Sequence, residues 1–400
     1  QPGRSMDPER MWVGLAADTV YHYRVTSDAD TTPDAMFRSM PGRTTRFRLI
    51  VFGDPHGDSA NNQLVADRMA QVSPSPVLLL CTGDLTADSR HSSYRKFFNT
   101  ERVLLAKSPL YPALGNHDID SLNYWYRFLV LPNNERFYSV ECGNSVFHFL
   151  NPYESFLPGS GQYQWLLGEL RSDSSRPEIR HIFVFVHTPA FSTNVVYQGN
   201  ADIRQHLCPL FERYGVDIVF SGHVHAYEHS LVNGVHYLTT GGAGASLATG
   251  WNSVQPWTVY REASYHFLVV EVGGDTVVTN GVRVNGSGFD TLVHVRGQVG
   301  INDTAAMPRL SLIPHALNPA IGTGVLWVET VLPQTLRVSV FDAAGREVVQ
   351  LPARRIDGGV HRFCWQTELQ PPGIYWWYVR GESMARSVPF SLLRTGFGYR

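Results

Sequence analysis

Three histidines, His223, His225 and His229, fall within seven residues of the stretch VFSGHVHAYEHS, behind Gly222 at the end of an apolar run. Two imidazoles one residue apart can grip a metal ion when other segments supply matching donors. Four further apolar runs do so. LIVFG is followed by Asp54-Pro55-His56, LLLCTG by Asp84, LYPALG by Asn116-His117-Asp118 and IFVFV by His187. Glycine precedes the donor at four of these five run ends, where it allows a tight turn that aims the next side chain over the edge. Two carboxylates, one amide and four imidazoles are too many for one ion and suit two, with His117 left over.

The elements that must position these donors are read from periodicity. Residues 47–53, 76–83, 181–186 and 217–222 read as buried strands, with 110–115 a weaker fifth. Ile203, Leu207, Leu210, Phe211 and Tyr214 recur on one face and predict a helix stopped by Gly215. Weaker helical patterns cover 61–72 and 163–170. Near-continuous apolar strands alternating with helices predict an α/β domain whose sheets are covered by helices, with donors meeting at the carboxyl ends of the strands. Hairpins are expected at Gly143-Asn144 and Gly273-Gly274, so part of the sheet is antiparallel. The Gly-rich stretch 239–250 is a loop, either a flexible connection or a substrate-facing segment.

The chain has 400 residues, enough for two or three domains, and a net charge of −2, which asks for neither nucleic acid nor an anionic membrane. No apolar run approaches the roughly 20 residues of a spanning helix. Cys81, Cys142, Cys208 and Cys364 are far apart, and no disulfide framework is expected. The sequence starts at Gln1 and its first recognisable element reads as a mid-domain strand, so the natural N-terminus is expected upstream. Residues 12–40 read as two or three strands. From about residue 306 onward, short strands split by Gly and Pro turns predict a β-sandwich.

The order GDPH, GD, GNHD, H and GHVH resembles the calcineurin-like metallophosphoesterase superfamily, and GHVHAYEH is similar to the GHVHAYER of purple acid phosphatases and their bacterial homologues. The resemblance spans about Phe47 to Gly297. It implies a β-sandwich flanked by helices and two divalent ions, with Mn, Fe or Zn as candidates. Asp54, His56 and His225 would hold one ion, Asn116, His187 and His223 the other, and Asp84 would bridge them. It further implies hydrolysis of a phosphate ester by a hydroxide held between the ions, with His117 facing the leaving group and Asp118 or Asp88 orienting it. Phosphomonoesters are the expected substrate. A phosphodiesterase or nucleotidase is the alternative, and a non-catalytic surface binding protein the contrasting class.

Two departures stand out. Ala87 occupies the place of the tyrosine that binds ferric iron in purple acid phosphatases, while His56 supplies an imidazole, which suits borderline divalent ions. His229 stands where arginine is usual and is expected outside the ligand set. His91 is expected to face solvent, and His148, His181 and His266 to be packing groups. Residues 1–44 resemble part of a fibronectin type III domain with its linker, ahead of a phosphoesterase domain at 45–300. Residues 306–395 resemble the Ig-like domain that ends many bacterial secreted enzymes, similar to flagellar hook-capping and type IX secretion sorting domains. That likeness implies a secreted, periplasmic or cell-surface protein engaged by secretion machinery. Within YWWY (375–378), alternate residues are expected in the core.

Overall fold

A computed structural model describes residues 14–296 except 29 and 58, and 310–392 except 319–322, 331–332, 343–345, 358, 367–369, 372 and 382–384. Residues 1–13 of the expected fibronectin-like segment, and 306–309 and 393–395 of the last domain, lie outside the described residues. The chain divides into two compact units, Gln1–Leu231 with Val235–Gln298, and Val232–Gly234 with Val299–Arg400.

The first unit opens with short strands β1 (Val20–Tyr23), β2 (Thr26–Ser27), β3 (Asp30–Thr31) and β4 (Ala35–Arg38). β1 pairs antiparallel with β4, and β2 with β3. Elements then alternate: β5 (Phe47–Phe52), α1 (Ser59–Met69), β6 (Leu78–Cys81), α2 (His91–Thr100), α3 (Arg102–Leu105), β7 (Leu110–Pro112) and α4 (Leu122–Phe128). Next come the hairpin β8 (Tyr138–Cys142) and β9 (Ser145–Leu150), α5 (Gly161–Ser174) and β10 (His181–Val186). They are followed by α6 (Ala201–His206), α7 (Cys208–Tyr214), β11 (Ile218–Ser221), β12 (Tyr227–Val232), β13 (Val235–Thr240) and β14 (Thr258–Glu262). β15 (His266–Gly273), β16 (Thr276–Arg283) and β17 (Gly288–Val295) close the unit.

These strands make two mixed sheets. One runs β17-β16-β15-β5-β6-β7, with β5, β6 and β7 parallel. The other runs β14-β12-β13-β11-β10-β9-β8, with β9, β10, β11 and β13 parallel. Leu49, Val51, Leu78, Leu80 and Val270 of the first share one core with Phe147, Phe149, Phe183, Phe185 and Phe220 of the second, so the sheets face one another. β9, β10 and β11 are buried at every residue, as strands covered on both faces must be.

The helix predicted across 203–214 is two helices. Leu207 leaves ideal helical geometry (φ −101°, ψ −40°), and Pro209, lacking an N–H, sits in the first turn of α7. Gly215 closes α7 in the left-handed region (φ 68°). α2 and α4 are not marked in the sequence by a long apolar repeat, and their aromatic rings build the packing instead. Tyr94 and Phe128 stack with centroids 5.2 Å apart. His91, expected to face solvent, lies against Tyr124 and Phe128, at 5.8 and 5.4 Å. His148, His181 and His266 are buried, and each has a polar partner, Ser139, the Gly274 carbonyl and Thr240 respectively. His229 is buried between Asp290 and His236, 2.9 Å from each.

The second unit is all β: β18 (Leu310–Asn318), β19 (Thr323–Thr330), β20 (Gln334–Asp342), β21 (Glu347–Gln350), β22 (Arg354–Ile356), β23 (Gly359–Gln366), β24 (Gly373–Arg380) and β25 (Ala385–Leu392). One antiparallel sheet is β18-β19-β23. The other is β21-β20-β24-β25 with β22 on β20. Tyr375 and Trp377 enter its core, whereas Trp376 and Tyr378 remain half-exposed, the alternation expected of YWWY. The four cysteines are free.

Glu101, at the junction of α2 and α3, is buried and receives one hydrogen bond from Asn62. Burial raises its carboxyl to about 8. The unfolded chain ionises this group near 4.5 and the folded chain resists ionisation, so its contribution to stability is lost as pH rises from about 4.5 to 8. Thermal melts between pH 5 and 8 are expected to show Glu101→Gln gaining stability over the parent as pH rises. A difference independent of pH contradicts this.

Candidate metal centre

The donors predicted from the sequence follow β5, β6, β7, β10 and β11, all parallel members of their sheets. Their loops meet. Asp54, His56 and His225 offer atoms within 4.8 Å of one another, as do Asp54, Asp84 and His187, and likewise His56, Asp84 and His117. Asp84 Oδ2 lies 3.3 Å from His187 Nε2 and 3.7 Å from His56 Nε2. Asn116 Oδ1 lies 2.9 Å from His223 Nδ1 and 3.3 Å from His187 Nε2. His225 Nε2 lies 3.6 Å from Asp54 Oδ1.

The backbone is bent to make this possible. Asp54, Asp84 and His223 all have left-handed φ, at 57°, 55° and 66°, a conformation costly for non-glycine residues and concentrated at functional sites. A Cβ on Gly115 would overlap the Asp84 carboxylate, and one on Gly222 would stand 2.5 Å from Asp54 Oδ2. The glycines before the donors therefore permit close approach of one loop to the next. Asp118, expected with Asp88 as a candidate to orient His117, instead accepts from the backbone N–H groups of Asp84, Leu85 and Gly115 and locks two of the turns together. Asp88 accepts from Arg90 N and Ser93 Oγ. Among the described residues neither carboxylate reaches the His117 ring, which packs on His56 with centroids 4.6 Å apart.

Outer partners set the ring nitrogens. His187 Nδ1 lies 2.9 Å from the Thr82 carbonyl and His225 Nδ1 2.9 Å from the Ser246 carbonyl. A carbonyl only accepts, so each Nδ1 carries the proton and each Nε2 presents a lone pair to the centre. Those lone pairs face carboxylate and amide oxygens, which are acceptors too. Among the described residues His56 Nε2 is buried with no hydrogen-bond partner. Burial lowers His56 and His223 to about 4, leaving them neutral, the form that binds metal. Burial raises Asp54 well above the usual carboxylate range. Burial opposes protonation of His187, yet Asp84 and Asp54 raise it to about 9. Without another cation, a proton on that imidazole is the counter-charge available to the buried Asp84 carboxylate. The donor chemistry fits divalent cations, and the donors form candidate ligand clusters for a dinuclear centre.

Residues 47–227 match the family model described as calcineurin-like phosphoesterase. This segment is similar to calcineurin-like phosphoesterase domains. Its chain is 30% identical over 277 residues to purple acid phosphatase 18 of Arabidopsis thaliana, covering 63% of this chain and 62% of that protein. It thus spans about six-tenths of the length of such a relative. The fold is shared with purple acid phosphatase PPD1 from yellow lupin, at a TM-score of 0.64 and 18% identity over 71% of this chain and 61% of that one. It is also shared with GAP50, described as the anchor in the inner membrane complex of Plasmodium, at a TM-score of 0.55 and 18% identity over 63% of this chain and 90% of that one.

Several residues that shape the centre carry no motif. The Gly-rich loop after β13 is not a slack connection. Its Ala243 and Ala245 N–H groups bond to the Gly53 and Asp54 carbonyls, and Ala248 N bonds to the His225 carbonyl. Tyr153 and Tyr197 stand beside the centre without any sequence signal, because the loops that bring them are long and irregular. One signal was present: Asn233-Gly234, both left-handed, marks the tight β12–β13 turn. Addition of Mn2+, Zn2+ or Fe2+ is expected to raise the melting temperature of this domain, by the equivalent of about 2.7 kcal/mol at 100 times Kd. Asp84→Asn is expected to remove most of that gain. Differential scanning calorimetry on both proteins reads it.

Proposed function

We propose that the chain is a metal-dependent phosphoesterase acting on phosphomonoesters. The observation that carries this is the convergence of Asp54, Asp84, Asn116 and four imidazoles, acceptor facing acceptor, on a buried point with His187 as the nearest cation source. Asp54, His56 and His225 would hold one divalent ion, Asn116, His187 and His223 a second, with Asp84 shared. Such ions supply charge neutralisation of the phosphoryl oxygens and a nucleophile at neutral pH. Thr82 and Ser246 carbonyls hold two imidazoles in the ligating tautomer, and Asp118 keeps the Asp84 and Asn116 turns in register.

His117 is the proposed proton donor to the leaving oxygen. Its backbone is held from both sides, since its N–H donates to Asp84 Oδ1 at 2.8 Å and its carbonyl accepts from Ser89 Oγ. The ring, which among the described residues is held by neither Asp88 nor Asp118, can turn toward a bound ester. Ala87 places no phenol at the tyrosine position, and burial raises the phenol of nearby Tyr153, so it is not a ready phenolate. Divalent Mn, Fe or Zn therefore suits the site better than a ferric–tyrosinate centre.

A diesterase or nucleotidase would use the same centre. The fold is also that of a protein described as an anchor, so a non-catalytic binding protein is the alternative of another class. The second unit, two antiparallel sheets around Leu326, Val338, Phe363, Trp365 and Trp377, supports the Ig-like reading and with it export to the periplasm or cell surface. Among the described residues no helix is long and apolar enough to cross a membrane.

Metal analysis combined with rates on one aryl phosphomonoester and one diester tests the proposal. Turnover of the monoester by protein holding about two ions is expected. His117→Ala is expected to lower kcat by roughly 10²–10⁴-fold with metal content retained. Metal-loaded protein that hydrolyses neither ester leaves the binding-protein alternative standing.

A further inference from the structure

Two tyrosines border the Asn116–His187–His223 side of the centre. The Tyr197 ring stands edge-on to His223, centroids 4.9 Å apart, and 6.0 Å from His225. The Tyr153 ring lies 6.4 Å from His187, with its hydroxyl 3.4 Å from Asn116 Oδ1 and 3.5 Å from Thr188 Oγ1. Tyr153 is 37% exposed, and Val195 and Val196, beside Tyr197, are 46% and 70% exposed. The rim is therefore apolar and aromatic on this side and open to solvent.

The Tyr197 wall is built rather than loose. Glu228, buried under the loop, accepts from Thr193 N and Thr193 Oγ1. Asn194, also buried, accepts from Val196 N and Tyr197 N, and donates to the Gly250 carbonyl at 2.8 Å. The loop that receives Asn194 is the same one whose Ser246 carbonyl holds His225. The ring is thus referenced to the centre through fixed hydrogen bonds. Among the described residues, no lysine or arginine takes part in the hydrogen bonds or ion pairs of Asp54, His56, Asp84, Asn116, His187, His223, His225, Tyr153 or Tyr197.

We infer that the site selects phosphate esters of aromatic alcohols, with the ring of the alcohol laid against Tyr197 and Tyr153, over small alkyl esters. This rests on the phosphoesterase reading. The reaction is simple hydrolysis: the bond from phosphorus to the alcohol oxygen breaks, a water oxygen joins phosphorus, and the alcohol leaves with a proton. Tyr153 and Tyr197 act on the alcohol and take no part in the bond changes.

The test uses the full metal-loaded chain. Calorimetry compares phenylphosphonate with methylphosphonate, and kcat/KM compares 2-phenylethyl phosphate with propyl phosphate, whose alcohols are close in acidity. A preference of roughly 10-fold for the phenyl compound is expected in both, from ring stacking and apolar contact. Tyr197→Ala shrinks that ratio below about 3-fold, Tyr197→Phe retains it, and Tyr153→Leu shrinks it independently. Hydrolysis of both esters with a ratio near one overturns the inference and leaves the phosphoesterase reading intact. Phosphonate binding with the expected ratio but no turnover supports the aromatic wall and overturns the catalytic reading. Absence of both binding and turnover overturns the two together.

Discussion

Buried acceptor atoms facing one another organise this protein. Asp54 and Asp84 are desolvated beside imidazoles whose outer nitrogens are already committed, so the inner nitrogens bring lone pairs to carboxylate oxygens. Charged groups taken out of water are costly unless a partner compensates them. Either a proton on His187 or a cation must sit among them. The arrangement is tolerated because it is over-determined: Asp118 ties two turns together, His223 N donates to both oxygens of Asp54, and the loop after β13 is bonded to the Gly53 and Asp54 carbonyls.

The two-sheet architecture is what makes that over-determination possible. A parallel strand delivers its next residue at its carboxyl end, and two facing sheets bring such ends together from opposite sides of one core. Asp54, His56, Asp84 and Asn116 follow strands of one sheet, His187, His223 and His225 strands of the other. The aromatic core between the sheets, including the Phe149–Phe185 and Phe185–Phe220 stacks at 4.7 and 4.9 Å, therefore bears directly on the centre. A change in how the sheets pack would move four donors against three. Left-handed Asp54, Asp84 and His223 are the local cost of this geometry, held by the surrounding packing.

Charge and shape divide the work at the rim. The centre concentrates carboxylate and imidazole, while Tyr153, Tyr197, Val195 and Val196 present an apolar border. On the proposed reading, binding of a phosphoryl group and discrimination among its alcohols reside in different residues, on different loops. Such loops diverge without disturbing the sheets, which is why a shared fold covers proteins described as a phosphatase and as an anchor.

Much of the donor set was legible in the sequence because its signal is local: an apolar run, a glycine and a ligand-type side chain, five times over. The buried strands and both hairpins were legible for the same reason. Other features depend on partners distant in sequence. A helix pattern across 203–214 was read correctly for its buried face, yet Pro209 divides it, and backbone geometry overrode periodicity. The Gly-rich loop after β13 gave no hint of its bonds to residues nearly 190 positions earlier, such as Ala243 to Gly53. The place of His229 between Asp290 and His236, the use of Asp118 to tie turns together rather than to hold the His117 ring, and the standing of Tyr153 and Tyr197 at the rim were likewise decided in three dimensions. The chain by itself determined which side chains can do chemistry and which strand ends deliver them, since residue type and period are written along it. Only the tertiary structure decided which of them meet, because distances between segments are set by how the two sheets pack.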